Sequence, residues 1–211
     1  SHDAMRLTIT ARDASGNIGR ASVDVEPTST AHKFTDIDGY WAATYVDFLY
    51  STGITTGYED GTFRPNQNIT RAQFSAMLFR YLGLNESDYA SVQLPFADNS
   101  SIPSYAVPAV KALYSKGIIN GSTGADGKLY FNPNASLTRA QAATMIGRTQ
   151  EKGYATTALT FSDAASIPSY ATYYIQTMVA QGVISGYSDG TFLPNASITR
   201  GQMAKILYNL L

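Results

Sequence analysis

The chain carries two hydrophobic rhythms. Ahead of Phe34, the runs Leu7-Thr8-Ile9-Thr10-Ala11 and Ala21-Ser22-Val23-Asp24-Val25 alternate apolar and polar residues, the pattern of half-buried strands. Asp13-Ala14-Ser15-Gly16-Asn17 between them is rich in turn formers, so this segment reads as a β-hairpin; Glu26 to Lys33, with Pro27 and three Ser or Thr, reads as a linker. An isolated hairpin is marginal in water, so docking, pairing with another molecule or mobility is expected of it. From Phe34 onward apolar residues return at helical spacing: Tyr45, Phe48 and Leu49, then Phe74, Met77, Leu78 and Leu82, and later Tyr174, Met178 and Val179.

The helical rhythm belongs to a unit that occurs three times. Phe34-Thr35-Asp36, Trp41-Ala42, Gly53-Ile54, Gly57-Tyr58, Asp60-Gly61-Thr62-Phe63, Pro65-Asn66 and Ile69-Thr70-Arg71-Ala72-Gln73 form the first copy. The second has Phe96-Ala97-Asp98, Tyr105-Ala106, Gly117-Ile118, Gly121, Asp126-Gly127, Phe131, Pro133-Asn134 and Leu137-Thr138-Arg139-Ala140-Gln141. The third has Phe161-Ser162-Asp163, Tyr170-Ala171, Gly182-Val183, Gly186-Tyr187, Asp189-Gly190-Thr191-Phe192, Pro194-Asn195 and Ile198-Thr199-Arg200-Gly201-Gln202. Such self-similarity marks a repeat architecture. Each copy predicts helix, loop, helix. The first helix starts near Trp41, Tyr105 or Tyr170 and stops at Gly53, Gly117 or Gly182, where glycine can take the left-handed conformation. Pro108 falls in the first turn of its helix, where a missing N–H is tolerated. The loop turns at Asp-Gly, and the second helix opens at Thr70, Thr138 or Thr199. Between Gly121 and Phe131 the middle copy is about four residues longer, an insertion of the kind loops absorb cheaply. No single copy can build a core, so the three must pack on one another.

These columns resemble the S-layer homology family over Phe34 to Leu211. The resemblance implies a mostly α fold, a pseudo-threefold single-chain trimer with a central three-helix bundle and three arms of short helices and loops, here preceded by a short β-hairpin-like segment. The hairpin resembles the end of a bacterial immunoglobulin-like domain. Expected divisions are 1–33 (a vector-derived start, terminal strands and linker), 34–95, 96–160 and 161–211 for the three repeats, all of it a piece of something longer. The family also implies binding of secondary cell-wall polysaccharide, often through a sugar bearing a pyruvate ketal, at the surface of a bacterium with a Gram-positive-type envelope. Gln73, Gln141 and Gln202 stand where the family commonly has Glu, and Gly201 where it commonly has Ala.

Composition narrows the choice of partner. The 211 residues are 44% hydrophobic and 15% charged with a net charge of −1, a globular balance that argues against a polyanion held by bulk electrostatics, and so against nucleic acid. No apolar run approaches the roughly 20 residues that span a bilayer. Cysteine is absent, which removes thiolate metal sites and cysteine nucleophiles.

Chemistry concentrates at the start of each second helix. Thr70 with Gln73, Thr138 with Gln141 and Thr199 with Gln202 have the spacing of capping boxes, a structural task that Gln performs as Glu does. Capping gives no reason for Arg71, Arg139 and Arg200, each at about the first helical position, where the helix dipole disfavours a cation. A guanidinium beside free helix-end N–H groups is suited to a carboxylate; pairing with a neighbouring Asp is the competing structural role. Trp41, Tyr105 and Tyr170 offer faces for sugar C–H groups or staples for the helix start. Asp36, Asp98 and Asp163 are equally suited to accepting bonds from hydroxyls and to capping, and Gly57, Gly121 and Gly186 to close ligand approach or a plain turn. The Trp41 groove is expected to bind best and the one beside the insertion least.

Catalysis fits poorly. A glycosidase needs two carboxylates in different roles, whereas these Asp occur once per copy, and His2 and His32 both lie outside the repeats. Asp60 and Asp189 beside glycine lack the alternating ligands of a calcium loop. No metal or cofactor is expected. The reading is a monomeric, non-catalytic glycan-binding module, with protein–protein adhesion as the alternative.

Overall fold

The structure, a computed structural model, describes residues 5–12, 18–25, 32–150 and 156–210. The Asp13–Asn17 turn and all but the end of the Glu26–Lys33 linker lie outside the described residues. The chain divides into two units, Ser1–His32 and Lys33–Leu211. In the first, β1 (Met5–Arg12) pairs antiparallel with β2 (Ile18–Val25), from Met5 opposite Val25 to Arg12 opposite Ile18.

The second unit is mostly helical, with α1 (Ala43–Ser51) and α2 (Arg71–Tyr81) in repeat one, α3 (Val107–Ser115) and α4 (Arg139–Gly147) in repeat two, and α5 (Ser169–Ala180) and α6 (Arg200–Asn209) in repeat three. The insertion of repeat two folds into a short antiparallel pair, β3 (Ser122–Thr123) with β4 (Leu129–Tyr130). Among the described residues no helix is long and apolar enough to cross a membrane.

Local chemistry sets both ends of these helices. After α1, α3 and α5, Gly53, Gly117 and Gly182 take φ of 75°, 70° and 72°. The next N–H then reaches back to Leu49, Leu113 or Met178, closing the helix in a Schellman turn. α2, α4 and α6 each open with a full capping box: the Thr hydroxyl accepts from the Gln N–H, and the Gln side chain accepts from the Thr N–H.

Between repeats the backbone bonds form a closed cycle. Ile69 N–H donates to Ile198 O at 3.0 Å, Ile198 N–H to Leu137 O at 2.9 Å, and Leu137 N–H to Ile69 O at 3.0 Å. One residue-pair further out, the N–H groups of Arg71, Arg139 and Arg200 bond Ala135 O, Ala196 O and Gln67 O, and those of Ala72, Ala140 and Gly201 bond Pro133 O, Pro194 O and Pro65 O. The closest helix packing follows the same order: α2 on α3, α4 on α5 and α6 on α1, the second helix of one repeat against the first of the next. Phe pairs anchor each loop to its own repeat, Phe34 with Phe63, Phe96 with Phe131 and Phe161 with Phe192, at centroid separations of 5.6, 5.7 and 5.3 Å; all but the half-buried Phe161 are buried.

Gly201 has a partner that accounts for it. A Cβ there would lie 2.8 Å from the Tyr40 ring and hydroxyl. The positions equivalent to Tyr40 in the other repeats are Ser104 and Ser169, and those equivalent to Gly201 are Ala72 and Ala140, so the smaller residue on α6 accompanies the larger one before Trp41.

Carboxylates hold the loops and set an acid limit. Asp60 and Asp189 accept from the N–H and hydroxyl of Thr62 and Thr191, and these bonds lower both carboxyls, Asp60 to about 2. Asp163 is lowered by the N–H of Phe192. A depressed folded pKa gives stability that is present above the unfolded value near 3.8 and is lost as pH falls through the folded one. The melting temperature should therefore hold steady from pH 7 to 5 and drop below about pH 4. Thermal melts across that range check this, and a decline already complete at pH 5 would contradict it.

Candidate functional site

The site grows out of one loop motif. In each repeat an Asp bridges two successive backbone N–H groups: Asp36 accepts from Phe63 and Arg64 at 2.8 and 2.7 Å, Asp98 from Phe131 and Asn132 at 2.8 and 2.7 Å, Asp163 from Phe192 and Leu193 at 2.8 Å each. The second residue of each pair takes a left-handed φ, 57° at Arg64, 56° at Asn132 and 55° at Leu193, which costs Arg64 and Leu193 about 1–2 kcal/mol and Asn132, whose side chain tolerates that conformation, less. The carboxylate offsets that strain by satisfying both donors.

The held Phe then offers its carbonyl to the arginine of the preceding repeat. Arg71 Nε donates to Phe131 O at 2.7 Å, Arg139 Nε to Phe192 O at 2.7 Å, and Arg200 Nε to Phe63 O at 2.6 Å. Each guanidinium also lies over the ring of that Phe, 5.1, 4.6 and 4.5 Å from its centroid. Arg139 and Arg200 lie in addition 4.8 Å from the rings of Tyr187 and Tyr58. Burial pushes all three below the ordinary arginine value, although a guanidinium stays charged in a protein. None is in an ion pair among the described residues; Asp98, Asp163 and Asp36 act on them only at longer range.

The helix-end amides behave differently from the sequence expectation. The N–H groups of the first two helical residues go to carbonyls of the next repeat, and the third goes to the capping Thr. The anion-binding half of the helix terminus is thus occupied by the cyclic backbone contacts, and the charge available to a ligand is the guanidinium.

Three grooves open beside these arginines, each lined by all three repeats. Groove 1, about 350 Å³, has Arg200, the Thr55–Glu59 loop, Gln73 and Arg80 on α2, and Tyr105. Groove 2, about 390 Å³, has Arg71, Gly121 and Ser122, Gln141 and Arg148, and Tyr170. Groove 3, about 300 Å³, has Arg139, Gly186 and Tyr187, Gln202 and Lys205, and Trp41. Trp41, Tyr105 and Tyr170 are 55%, 52% and 50% exposed, so they present a face at the groove rather than filling the core. Asp36, Asp98 and Asp163 line none of the three, and their oxygens face backbone.

Two roles were hidden in familiar motifs. Gln73 and Gln202 cap their helices with the carbonyl oxygen and donate with the amide to Tyr58 and Tyr187 hydroxyls at 2.9 and 3.2 Å, which fixes those rings beside the arginines. Groove 2 has Ser122 in place of the Tyr. The Gly57, Gly121 and Gly186 column lines the grooves and leaves room for the rings of Phe34, Phe96 and Phe161, which a Cβ would strike. The second basic residue of each groove went unnoticed in the sequence; its signal is the helical spacing from the capping Gln.

Residues 33–75, 95–143 and 160–204 match the S-layer homology domain. The chain belongs to the S-layer homology family. Among its relatives are an amylopullulanase of Thermoanaerobacterium thermosulfurigenes, 35% identical over 84% of this chain and 9% of that protein. A cellulosome-anchoring protein of Acetivibrio thermocellus is 31% identical over 72% of this chain and 34% of its own length. S-layer protein EA1 of Bacillus anthracis is 27% identical over 87% of this chain and 20% of its own. The chain thus spans about a tenth to a third of the length of these three proteins.

Proposed function

We propose that the three repeats, in a pseudo-threefold arrangement, anchor a larger bacterial surface protein by binding an acidic secondary cell-wall polysaccharide, of the pyruvate-ketal type, in the grooves between repeats. The observation that carries this reading is the set of three guanidinium groups without a carboxylate partner, Arg139 and Arg200 buried and Arg71 partly so. A buried charge lacking a counter-charge is costly, and here aromatic rings with one carbonyl for Arg71 and Arg200, and two for Arg139, whose Nη2 also donates to Ser185 O at 3.0 Å, offset only part of that cost. A ligand carboxylate supplies the missing charge. Arg71, Arg139 and Arg200 grip it through their terminal nitrogens, while Tyr170, Trp41 and Tyr105 cover the sugar face. Gly57, Gly121 and Gly186 shape the groove wall, and Asp36, Asp98 and Asp163 act as its frame.

The module works alone as a monomer and without turnover, at the wall of an envelope of Gram-positive type. Repeats run 34–95, 96–160 and 161–211. Groove 3 binds tightest, because Trp41 offers the largest stacking face, and groove 2 differs most, because it lacks the Tyr clamp.

The test is calorimetric titration of purified wall polysaccharide into the wild type and the Arg71→Gln, Arg139→Gln, Arg200→Gln triple variant, with a thermal melt to verify folding. Loss of one charge-assisted bond per groove should weaken binding roughly 10- to 150-fold, and neutral saccharides should compete poorly. Equal affinity in a folded triple variant, or equal competition by neutral sugars, sinks the carboxylate mechanism.

A further inference from the structure

The same stripe of the second helix lines every groove. In groove 1 it is Gln73, Ala76, Met77 and Arg80; in groove 2, Gln141, Thr144, Met145 and Arg148; in groove 3, Gln202, Lys205, Ile206 and Asn209. These are positions i, i+3, i+4 and i+7, one face of a helix. The stripe starts at the capping Gln, beside the inner arginine, and runs about 10 Å along the helix axis to its last residue. A single acid group on one sugar accounts for the inner end alone.

Each stripe carries a second cation. Grooves 1 and 2 place an Arg at the far end, Arg80 and Arg148, and groove 3 places Lys205 one turn after Gln202. None of the three is in an ion pair among the described residues. Arg148 is held at the groove wall by a 3.1 Å bond from Nη1 to Ile118 O, itself a lining residue. Lys205 Nζ sits 6.0 Å from the Trp41 ring centroid, at the aromatic wall of groove 3. Arg80 shares groove 1 with Tyr105, and with Glu59, which reduces its pull on an anion.

We propose that Arg80, Arg148 and Lys205 form an outer anion subsite in each groove, so that the preferred ligand is an oligosaccharide stretch with a second acidic group, not a lone acid at a chain end. This rests on the glycan reading above. Because Lys205 stands one helical turn nearer the inner site than Arg80 and Arg148, about 6 Å along the axis, groove 3 accepts a closer pair of charges than the other two.

Two probes separate this subsite from the inner one: a trisaccharide with a pyruvate ketal on its non-reducing residue only, and the same trisaccharide with a second ketal on its third residue. Titrated into the 211-residue chain, the diketal should bind about tenfold tighter than the monoketal. The folded Arg80→Gln, Arg148→Gln, Lys205→Gln variant should lose that preference and keep its monoketal affinity within about twofold. A wild type that binds both probes alike, or an outer variant that retains the preference, overturns the outer subsite. The inner triple variant should lose both probes. If it binds both as the wild type does, or if the wild type binds neither, the glycan reading itself fails, whatever the outer residues do.

Discussion

Gly57→Ala should destabilise the second unit by about 2–4 kcal/mol, one of the largest effects of a single methyl group in this chain. Two penalties coincide at this position. Its φ of 69° costs an alanine about 1–2 kcal/mol. The added Cβ would also run into the ring of Phe34, which is buried and packed on Phe63, and overpacking of a filled core costs about 1–3 kcal/mol. For a unit of this size the melting temperature should fall by roughly 5–15 °C. Gly53→Ala is the internal control: its φ is 75°, but nothing lies within 4 Å of its Cβ position, so only the conformational penalty applies. Gly186→Ala isolates the other half, since a Cβ there would meet Phe161 at 2.5 Å and Thr191 O at 2.6 Å without a left-handed φ. Urea unfolding of the three variants reads the difference. A Gly57→Ala cost no greater than that of Gly53→Ala would show that the ring yields freely and the column is a plain turn requirement. Because Gly57 precedes Tyr58 at the groove 1 wall, the variant should also loosen the clamp on Arg200.

What the sequence made legible were features that depend on near neighbours. Helix ends were readable because glycine after the first helices and Thr-x-x-Gln before the second act within a few residues. The interior rhythm of Tyr45, Phe48 and Leu49 was readable for the same reason, although Tyr45 and Phe48 proved only half-buried. Contacts between repeats were not readable. Arg71, Arg139 and Arg200 find carbonyls 60, 53 and 137 residues away, and every residue type offers a carbonyl, so no side-chain identity marks the acceptor. The first-turn amides pose the same problem: Ala135, Ala196 and Gln67 are unremarkable residues, yet their carbonyls remove the free N–H groups on which a helix-end anion site depends. Gln73 shows a half-legible case. Its capping bond follows from spacing, whereas its second bond, to Tyr58, needs the loop to fold back over α2.

The aspartates supply the other large effect. Asp98→Ala should cost about 2–4 kcal/mol, because Phe131 N–H and Asn132 N–H both lose a charged acceptor; the left-handed φ of 56° adds little, since asparagine tolerates it. Phe131 is fully buried, so water cannot replace the carboxylate at its N–H cheaply. Asp98→Asn should recover only part of the loss, since one of its two side-chain positions would present a donor to a donor. Function enters through Phe131 O, the acceptor of Arg71 Nε: once the loop shifts, the guanidinium of groove 2 loses its anchor. Binding should therefore weaken in a variant whose substituted residue does not line the groove. Urea unfolding combined with titration of wall polysaccharide separates the two roles open to an Asp at this position. A frame residue lowers stability first and affinity as a consequence. A sugar-contacting residue lowers affinity at unchanged stability, and that outcome would move Asp98 from the frame into the binding surface.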